Sequence, residues 1–374
     1  MTVVYGLVFL CFLVFFHETG HFLLAKFFRV KVESFSIGMG PVLLHRKING
    51  TDYRLSLFPL GGYCGMKGEK DFSAALEAGS SRIIADKDSL YGIEPLKRVL
   101  IVFAGPLFNF IFAVIAMTVV GMLGSAYYAP SAKIILADEI YPEVHSAARE
   151  AGILTGDIIK NINGNRINDF SDIFSYVSVC PDEDIVVTVE RNNETLNFKV
   201  HTDFDKEHGI GKIGVSSSPD SVEKRIIEPL KFFPAVFYGI KESCRLVYVS
   251  LKSLKIIFKG VNLSKTVSGP ARITTMLGNT VQTSFAEGVK TGFCYTLNFM
   301  ALISISLFII NILPVPVLDG GLIFFSLIEF FTKKQISPKI QYYVQFIGLA
   351  FIAFLVIVGL FGDIQYFISS AGSK

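Results

Sequence analysis

Residues 3–25 read VVYGLVFLCFLVFFHETGHFLLA, a run of apolar side chains interrupted by His17, Glu18 and His21. A run of this length and composition predicts a helix that crosses a membrane. On a helix the two histidines lie one turn apart on one face, which lets both imidazoles bind a single Zn²⁺ while Glu18 handles a proton. Ionisable side chains inside a membrane are costly, so we interpret this cluster as a functional site. The alternative is a pair of histidines satisfied by hydrogen bonds inside a helix bundle.

The composition is that of a membrane protein with an attached polar domain. Of the 374 residues, 51% are hydrophobic and 35 are Phe, and the mean hydropathy is +0.51. The net charge of +3 is spread along the chain, which argues against a nucleic-acid partner. The five cysteines show no Cys-x-x-Cys spacing, which argues against a disulfide framework and against a cysteine-rich zinc site. The first apolar run lacks the basic start and cleavage site of a signal peptide, so we expect it to remain as a spanning helix.

Four segments are long and apolar enough to cross a membrane, given a need for roughly 20 residues each. The predicted fold class is therefore a polytopic α-helical membrane protein with four transmembrane helices. The predicted spans are Thr2–Ala25, Val99–Ala126, Tyr295–Leu313 and Tyr342–Phe361.

Three clusters of basic residues flank these spans, all on the same side; the long segment 127–294 is itself rich in Lys and Arg, but long translocated domains are largely exempt from the charge rule. The clusters consist of Lys26, Arg29, Lys31, Lys97, Arg98, Lys333, Lys334 and Lys339. The positive-inside rule makes that side cytoplasmic. Both termini and the long segment 127–294 are then predicted to lie outside the cytoplasm.

The first unit, residues 1–126, holds two spans and a β region between them, at about 27–66. Residues 35–41 read FSIGMGP and residues 53–63 read YRLSLFPLGGY, an alternation with bounding glycines that predicts strands and hairpins. Non-helical backbone at membrane depth is tolerated where it is buried in protein or lines a cavity. We therefore predict a membrane-associated, re-entrant β-hairpin beside the metal helix. An ordinary cytoplasmic hairpin is the alternative.

Residues 131–218 predict an inserted α+β domain. Strands are expected at Ile158–Ile162, Ile185–Glu190 and Thr195–Val200, separated by Asn-Gly and other polar turns. This pattern resembles a bacterial PDZ domain, and PDZ domains bind extended peptides along a sheet edge. The alternative is an unrelated small β domain. Residues 219–294 are predicted to form amphipathic helices on the membrane surface at 226–259 and a glycine-punctuated connector at 264–292.

A catalytic zinc site needs a third protein ligand, and Asp319 is the candidate. Residues 311–321 read NILPVPVLDGG, in which Pro314 and Pro316 lack backbone N–H donors and so end the third span just before the aspartate. By helix rise, Asp319 and the histidines lie on the cytoplasmic side of the membrane midplane. The alternative is a helix-breaking turn capped by Asp319. The last unit, 295–374, holds the third and fourth spans.

Taken together, the His17–His21 motif, the Asn311–Gly320 segment and a PDZ-like insertion between the second and third spans resemble the site-2 protease family, and within it the bacterial regulator-of-sigma-E proteases. Residues 103–110, FAGPLFNF, and the tripeptide Ser268-Gly269-Pro270 extend the resemblance over nearly the whole chain. The best-known enterobacterial members carry two tandem PDZ domains, whereas this chain has room for one.

The resemblance implies a zinc-dependent intramembrane endopeptidase that cleaves the transmembrane segments of single-span substrates, such as an anti-sigma factor or remnant signal peptides. It implies His17, His21 and Asp319 as zinc ligands, Glu18 as the catalytic proton carrier, and Asn311 with Pro314 at the substrate. It also implies a place in the bacterial inner membrane, with the lipid bilayer and an upstream site-1-type protease as partners.

Two other classes of protein stay open. One is a membrane metallopeptidase with a cytosolic site and a glutamate as third ligand. The other is a non-catalytic PDZ adaptor or transporter with a relic motif. Metal content and activity of an Asp319→Asn variant separate the first from our hypothesis, and the phenotype of Glu18→Gln separates the second.

Overall fold

The computed structural model describes residues 2–218, 221–257, 259–261 and 269–372. In chain order the helices are α1 (Thr2–Phe27), α2 (Glu69–Glu77), α3 (Pro95–Leu123), α4 (Ala137–Ile140), α5 (Ala147–Glu150), α6 (Phe170–Val177), α7 (Phe232–Ile257), α8 (Pro270–Ala286), α9 (Val289–Ile312), α10 (Asp319–Thr332) and α11 (Pro338–Gly372). The strands are β1 (Val32–Ile48), β2 (Thr51–Met66), β3 (Ser125–Pro130), β4 (Ile134–Leu136), β5 (Ile158–Ile162), β6 (Asn165–Arg166), β7 (Asp184–Arg191), β8 (Glu194–His201), β9 (Asp203–Asp205), β10 (Ile210–Lys212), β11 (Val215–Ser217) and β12 (Val222–Ile227).

Among the described residues, four helices are long and apolar enough to cross a membrane, which confirms the predicted number of spans. Their apolar stretches are Val4–Phe27, Pro95–Leu123, Val289–Ile312 and Pro338–Gln365. The second span starts at Pro95, four residues earlier than predicted, and it ends earlier than predicted because the chain turns at Gly124 into β3. Many large apolar side chains on these helices are exposed, among them Ile347, Phe354 and Phe361 of α11. Exposed apolar surface on this scale is typical of a protein that lies in lipid.

The chain divides into two compact units. The first, which we call the helical unit, comprises residues 1–122, 231–244 and 269–374; the second, the α+β unit, comprises residues 123–230 and 245–268. Helix α7 therefore contributes its first half to one unit and its second half to the other.

Strands β1 and β2 of the helical unit form one bent antiparallel hairpin. Asn49 and Gly50, both with positive φ, make the two-residue turn between them. Because both strands bend, residues 32–37 pair with residues 62–66 on one side and with residues 52–55 on the other. Residues 61–66 thus form an outer edge of the sheet within the described chain. The bend exposes apolar side chains such as those of Leu43, Leu44 and Phe58, and membrane association of this hairpin stays a prediction.

Helix α8 occupies most of the segment 264–292, which was predicted as a glycine-punctuated connector to the third span. Residues 264–268, with Ser268 of the Ser-Gly-Pro motif, lie outside the described residues. The hydroxyl groups that make this segment look polar bond to carbonyls of their own helix, as Thr275 does to Ala271 (2.8 Å). Helix α8 also packs tightly on α1, since a Cβ on Gly6 would lie 2.2 Å from the carbonyl oxygen of Thr274. The polar composition of this segment therefore did not indicate that it forms a packed helix.

Most of residues 226–259, which were predicted to form surface helices, lie in helix α7, and their place on the membrane surface stays a prediction. Strand β12 covers the first of these residues, and α7 starts only at Phe232. Strand β12 pairs with β3 along its whole length, from Val222 opposite Pro130 to Ile227 opposite Ser125. A helical periodicity pattern does not detect backbone pairing with a distant strand, which explains why β12 was not predicted.

A buried ion pair joins α3 to α10. Arg98 is only 3% exposed, and its guanidinium donates to Glu329 (2.8 Å) and to the carbonyl of Leu90 (3.0 Å). Buried charges persist in proteins when they are paired and hydrogen-bonded in this way. Arg98 therefore serves as more than a flanking charge of the second span, because it fixes the helix that begins at Asp319.

The α+β unit contains the three predicted strands, as β5, β7 and β8. They form a four-stranded antiparallel sheet in the order β6-β5-β7-β8, with a core that includes Ile159, Ile173, Val187 and Val189. Asn192 and Asn193 take positive φ in the turn between β7 and β8, as asparagine tolerates.

One buried carboxylate anchors this sheet to the preceding turn. Asp157, 2% exposed, accepts two hydrogen bonds from Arg191 (2.8 and 2.7 Å) and one from the backbone of Leu154 (2.9 Å). Burial raises the pKa of Asp157, but the guanidinium and the backbone N–H together hold it below its ordinary value. The pair therefore stays charged at neutral pH.

The start of α8 generates a test of the helical unit. Asp363 of α11, 3% exposed, accepts backbone hydrogen bonds from Gly269 (2.8 Å), Ala271 (3.0 Å) and Arg272 (3.2 Å), and so caps α8 from a distant helix. We expect Asp363→Ala to lower the free energy of unfolding by about 2 kcal/mol, because these donors lose a charged acceptor. Thermal unfolding of the purified protein in detergent measures the change.

Gln365→Ala, an exposed position on the same helix, is the matched control and should leave the melting temperature unchanged. Asp363→Asn keeps one acceptor oxygen and should fall between the two. Equal melting temperatures for Asp363→Ala and Gln365→Ala would show that this cap contributes nothing.

Candidate active site

The two histidines of α1 face each other across one helical turn. Their Nε2 atoms lie 3.2 Å apart, and both side chains are buried. The other ring nitrogen of each is held by α3: Nδ1 of His21 lies 3.0 Å from the carbonyl oxygen of Ile101, and Nδ1 of His17 lies 3.0 Å from the amide of Asn109. Both imidazoles therefore direct Nε2 toward the same point.

Asp319 reaches this point from the start of α10. Helix α9 ends at Ile312, and the proline-containing connection that follows includes Val317 with φ of 90°, a strained conformation for a β-branched residue. Glycines let the connection pack closely: a Cβ on Gly348 would lie 2.1 Å from the carbonyl oxygen of Pro316. The result places the carboxylate of Asp319 beside both imidazoles.

The three side chains fit a zinc ion. Oδ2 of Asp319 lies 3.1 Å from Nε2 of His17 and 3.4 Å from Nε2 of His21. A tetrahedral zinc with ligand bonds of about 2.0–2.2 Å holds its ligand atoms about 3.3–3.5 Å apart, close to these values. Oδ2 of Asp319 is also buried, and it makes no well-formed hydrogen bond in the described part of the chain although both imidazoles lie close to it; a bound cation would satisfy it.

Gly105 of α3 leaves the space that such an ion needs. A Cβ at this position would lie 2.2 Å from Nε2 of His21 and 2.8 Å from Nε2 of His17. The first of these distances is close to a zinc–nitrogen bond of about 2.0–2.1 Å. Any side chain here would therefore compete with the metal for the same volume.

A cavity of about 530 Å³ opens in front of the three side chains. Its wall includes Glu18, Met39, Tyr63, Cys64, Asn311 and Leu318. The edge segment 61–66 of the hairpin thus lies along the cavity, and Glu18 faces the same space without joining the three converging ligand atoms.

The structure brings most of the predicted site residues together. His17, Glu18, His21, Asn311 and Asp319 all line this one cavity. Pro314 does not: it is exposed in the connection between α9 and α10 and is absent from the residues that line the cavity.

Gly105 and Asn109 lie in the motif at residues 103–110, but neither was predicted as a functional residue. A signal was present, since the two residues lie four apart on α3, the same spacing as His17 and His21 on α1. Two helices that carry matching four-residue spacings can align one face on the other.

Comparison with known proteins agrees with this geometry. The family model Peptidase family M50 matches residues 5–355. A protein of Treponema pallidum, provisionally named a zinc metalloprotease, is 33% identical over 97% of this chain and 99% of its own length. A Campylobacter jejuni protein with the same provisional name is 34% identical over 95% of this chain and 90% of its own. The regulator of sigma-W protease RasP of Bacillus subtilis is 28% identical over 94% of this chain and 96% of its own.

These matches cover almost all of the chain, including every residue of the cavity wall. They confirm the resemblance drawn from the motifs, the predicted enzyme class and zinc as the cofactor. The chain therefore belongs to peptidase family M50, the site-2 proteases, and is a zinc-dependent metalloendopeptidase of the membrane.

Proposed function

We propose that this protein cleaves peptide bonds inside the membrane-spanning segments of single-span proteins, in regulated intramembrane proteolysis. His17, His21 and Asp319 hold the zinc ion, and Glu18 is the catalytic acid and base. One observation carries the proposal. Three ligand atoms converge beside a cavity, and two of them belong to α1, a helix apolar enough to cross a membrane. A site at this place acts on substrates that lie in lipid.

Zinc bound there supplies a Lewis acid that polarises the scissile carbonyl and lowers the pKa of water. Glu18 accepts the proton of the attacking water and delivers it to the nitrogen of the leaving amine. Asn311 lies on the same cavity wall, where its amide can donate a hydrogen bond to the substrate backbone or to the developing oxyanion.

A substrate helix must unwind before it is cut, because its own hydrogen bonds occupy the carbonyl groups. Segment 61–66 offers replacement bonds, since it is a sheet edge that runs along the cavity. We propose that the unwound substrate adds to this edge as a further strand, as peptides do in β-augmentation.

The α+β unit is proposed to be a single PDZ domain outside the cytoplasm that screens the substrate's outer segment. An apolar groove of about 220 Å³ lies between α6 and residues 210–215, with Phe170, Phe174 and Ile213 in its wall. A groove between a helix and a strand suits an extended peptide. Substrates already trimmed by a site-1-type protease would then be admitted.

The orientation follows from charge. By the positive-inside rule, basic residues such as Lys26, Lys97 and Lys333 favour a cytoplasmic location for one side of the spans, and we propose that both termini and the PDZ domain face outward. We propose the bacterial inner membrane as the location, with an anti-sigma factor or remnant signal peptides as substrates.

Two variants at the metal site test the proposed roles. We expect Asp319→Asn to weaken zinc binding by more than about 100-fold, since it removes a direct ligand. Glu18→Gln should keep zinc and lose about 10²–10⁴-fold in turnover, because only the proton carrier is lost. Zinc content of the purified protein and cleavage of a single-span substrate in detergent measure both effects.

Unchanged zinc content and unchanged cleavage in Asp319→Asn would contradict the ligand assignment and favour a metallopeptidase with a different third ligand. Full biological function of Glu18→Gln would favour a non-catalytic adaptor.

A substitution on the neighbouring helix tests the geometry separately. Gly105→Ala should abolish zinc binding, because its Cβ would fall within bonding distance of Nε2 of His21. In a His17→Ala, His21→Ala background the same change should stabilise the protein by about 1 kcal/mol, since alanine favours a helix over glycine. Zinc content and thermal unfolding are the two measurements. A Gly105→Ala protein that binds zinc normally would contradict the placement of the ion.

The substrate strand is tested by disulfide cross-linking in the Glu18→Gln protein. A variant that keeps Cys64 as its only cysteine is mixed with substrates that carry one cysteine at successive positions around the cut. We expect cross-links at every second position, the period of a strand. A variant with Arg46→Cys as its only cysteine, on the opposite edge of the sheet, should give none. Cross-links with a period of three to four would show that the substrate stays helical.

A further inference from the structure

One face of α3 holds both zinc-binding histidines in place. The carbonyl of Ile101 meets Nδ1 of His21, Gly105 lies against both rings, and Asn109 meets Nδ1 of His17. These three residues are spaced four apart, so they form a single line along the helix. The backbone supplies the partner of one histidine, and a side chain supplies the partner of the other.

Zinc binding decides which ring nitrogen carries the proton. A neutral imidazole that gives its Nε2 lone pair to a metal keeps its proton on Nδ1, and that N–H needs an acceptor. The carbonyl oxygen of Ile101 serves His21 in this way. For His17 the acceptor must come from Asn109, whose side chain is fully buried.

The amide of Asn109 can supply that acceptor without losing any other hydrogen bond of its side chain among the described residues. Its Nδ2 lies 3.0 Å from Nδ1 of His17, whereas its Oδ1 is buried and has no partner within the described residues. A half-turn of the planar amide exchanges the two atoms and breaks no other side-chain hydrogen bond of this group in the described chain. The backbone beneath it is held by the hydroxyl of Ser304, which donates to the carbonyl of Asn109 (2.8 Å).

We propose that Asn109 is a positioning residue for zinc, whose Oδ1 accepts the Nδ1–H of His17 when the metal is bound. In the arrangement seen here Nδ2 donates to Nδ1 instead, so that Nδ1 of His17 is the acceptor. An amide can hydrogen-bond to Nδ1 of His17 in both states, because it carries a donor and an acceptor. A carbonyl or carboxylate can only accept, and so fits only the zinc-bound state. The inference rests on the proposed ligand set of His17, His21 and Asp319.

The test compares zinc affinity in Asn109→Leu, Asn109→Asp and a matched control, Asn298→Leu. Asn298 lies on α9 and donates to the carbonyl of Cys294 in its own helix, outside the residues that line the cavity. Full-length protein is purified in detergent, stripped of metal and titrated with zinc against a chelator. Cobalt(II) is then added in place of zinc, and its visible absorption reports the ligand geometry.

Asn109→Leu should bind zinc 10–100-fold more weakly and change the cobalt spectrum, since His17 loses its outer partner. Asn109→Asp restores an acceptor of the same shape and should bind zinc as the wild type does. Asn298→Leu should be unchanged. Leucine fills a similar volume in an apolar helix, so each variant is expected to fold. Thermal unfolding of the metal-free proteins checks this.

Two results would overturn this inference alone: wild-type zinc affinity in Asn109→Leu, or an Asn109→Asp protein as weak as Asn109→Leu. The second would mean that the amide acts as a donor or as packing. If His17→Ala also retains wild-type zinc affinity, then the ligand set itself is wrong and both proposals fall together.

Discussion

A carboxylate and two imidazoles that meet inside an apolar helix bundle are the constraint on which the rest of this structure depends. Burial of a carboxylate oxygen is unfavourable unless it is well satisfied, and Oδ2 of Asp319 makes no well-formed hydrogen bond among the described residues, although both imidazoles lie close to it. A cation held by all three groups removes that penalty. The surrounding features serve the same end: a glycine at position 105, a tight connection before Asp319, and a buried Arg98–Glu329 pair that fixes α10.

The part of the site that could be predicted from the sequence is local. His17 and His21 lie on one face because residues four apart on a helix are one turn apart. The prolines before Asp319 predicted a helix break. The four-residue spacing of Gly105 and Asn109 is a signal in the sequence, but it does not assign their roles, because those depend on how α3 crosses α1. The periodicity of a single helix indicates which face is buried, but it does not identify the residues that this face contacts.

The fold shows the same division. Four long apolar runs gave four helices, with bounds shifted by a few residues where Gly124 and the start of β3 intervene. Helix α8 was not predicted because buried hydroxyl residues such as Thr274 and Ser284 bond to carbonyls of their own helix, so that a polar sequence is buried at little cost. Strand β12 escaped for the opposite reason, since its partner β3 lies almost 100 residues earlier in the chain.

The metal site joins segments that the chain connects only over long distances. The motif of α1, the line of residues on α3 and the start of α10 contribute to one cluster, although His21 and Asp319 lie 298 positions apart in the sequence. A metal that binds such a cluster contributes its binding free energy to the packing of all three helices. The position of Asp319 is the sensitive one, because α10 carries a single ligand whereas α1 carries two. Rigid packing of α10 is therefore a requirement of the chemistry, and Arg98 with Glu329 provides it.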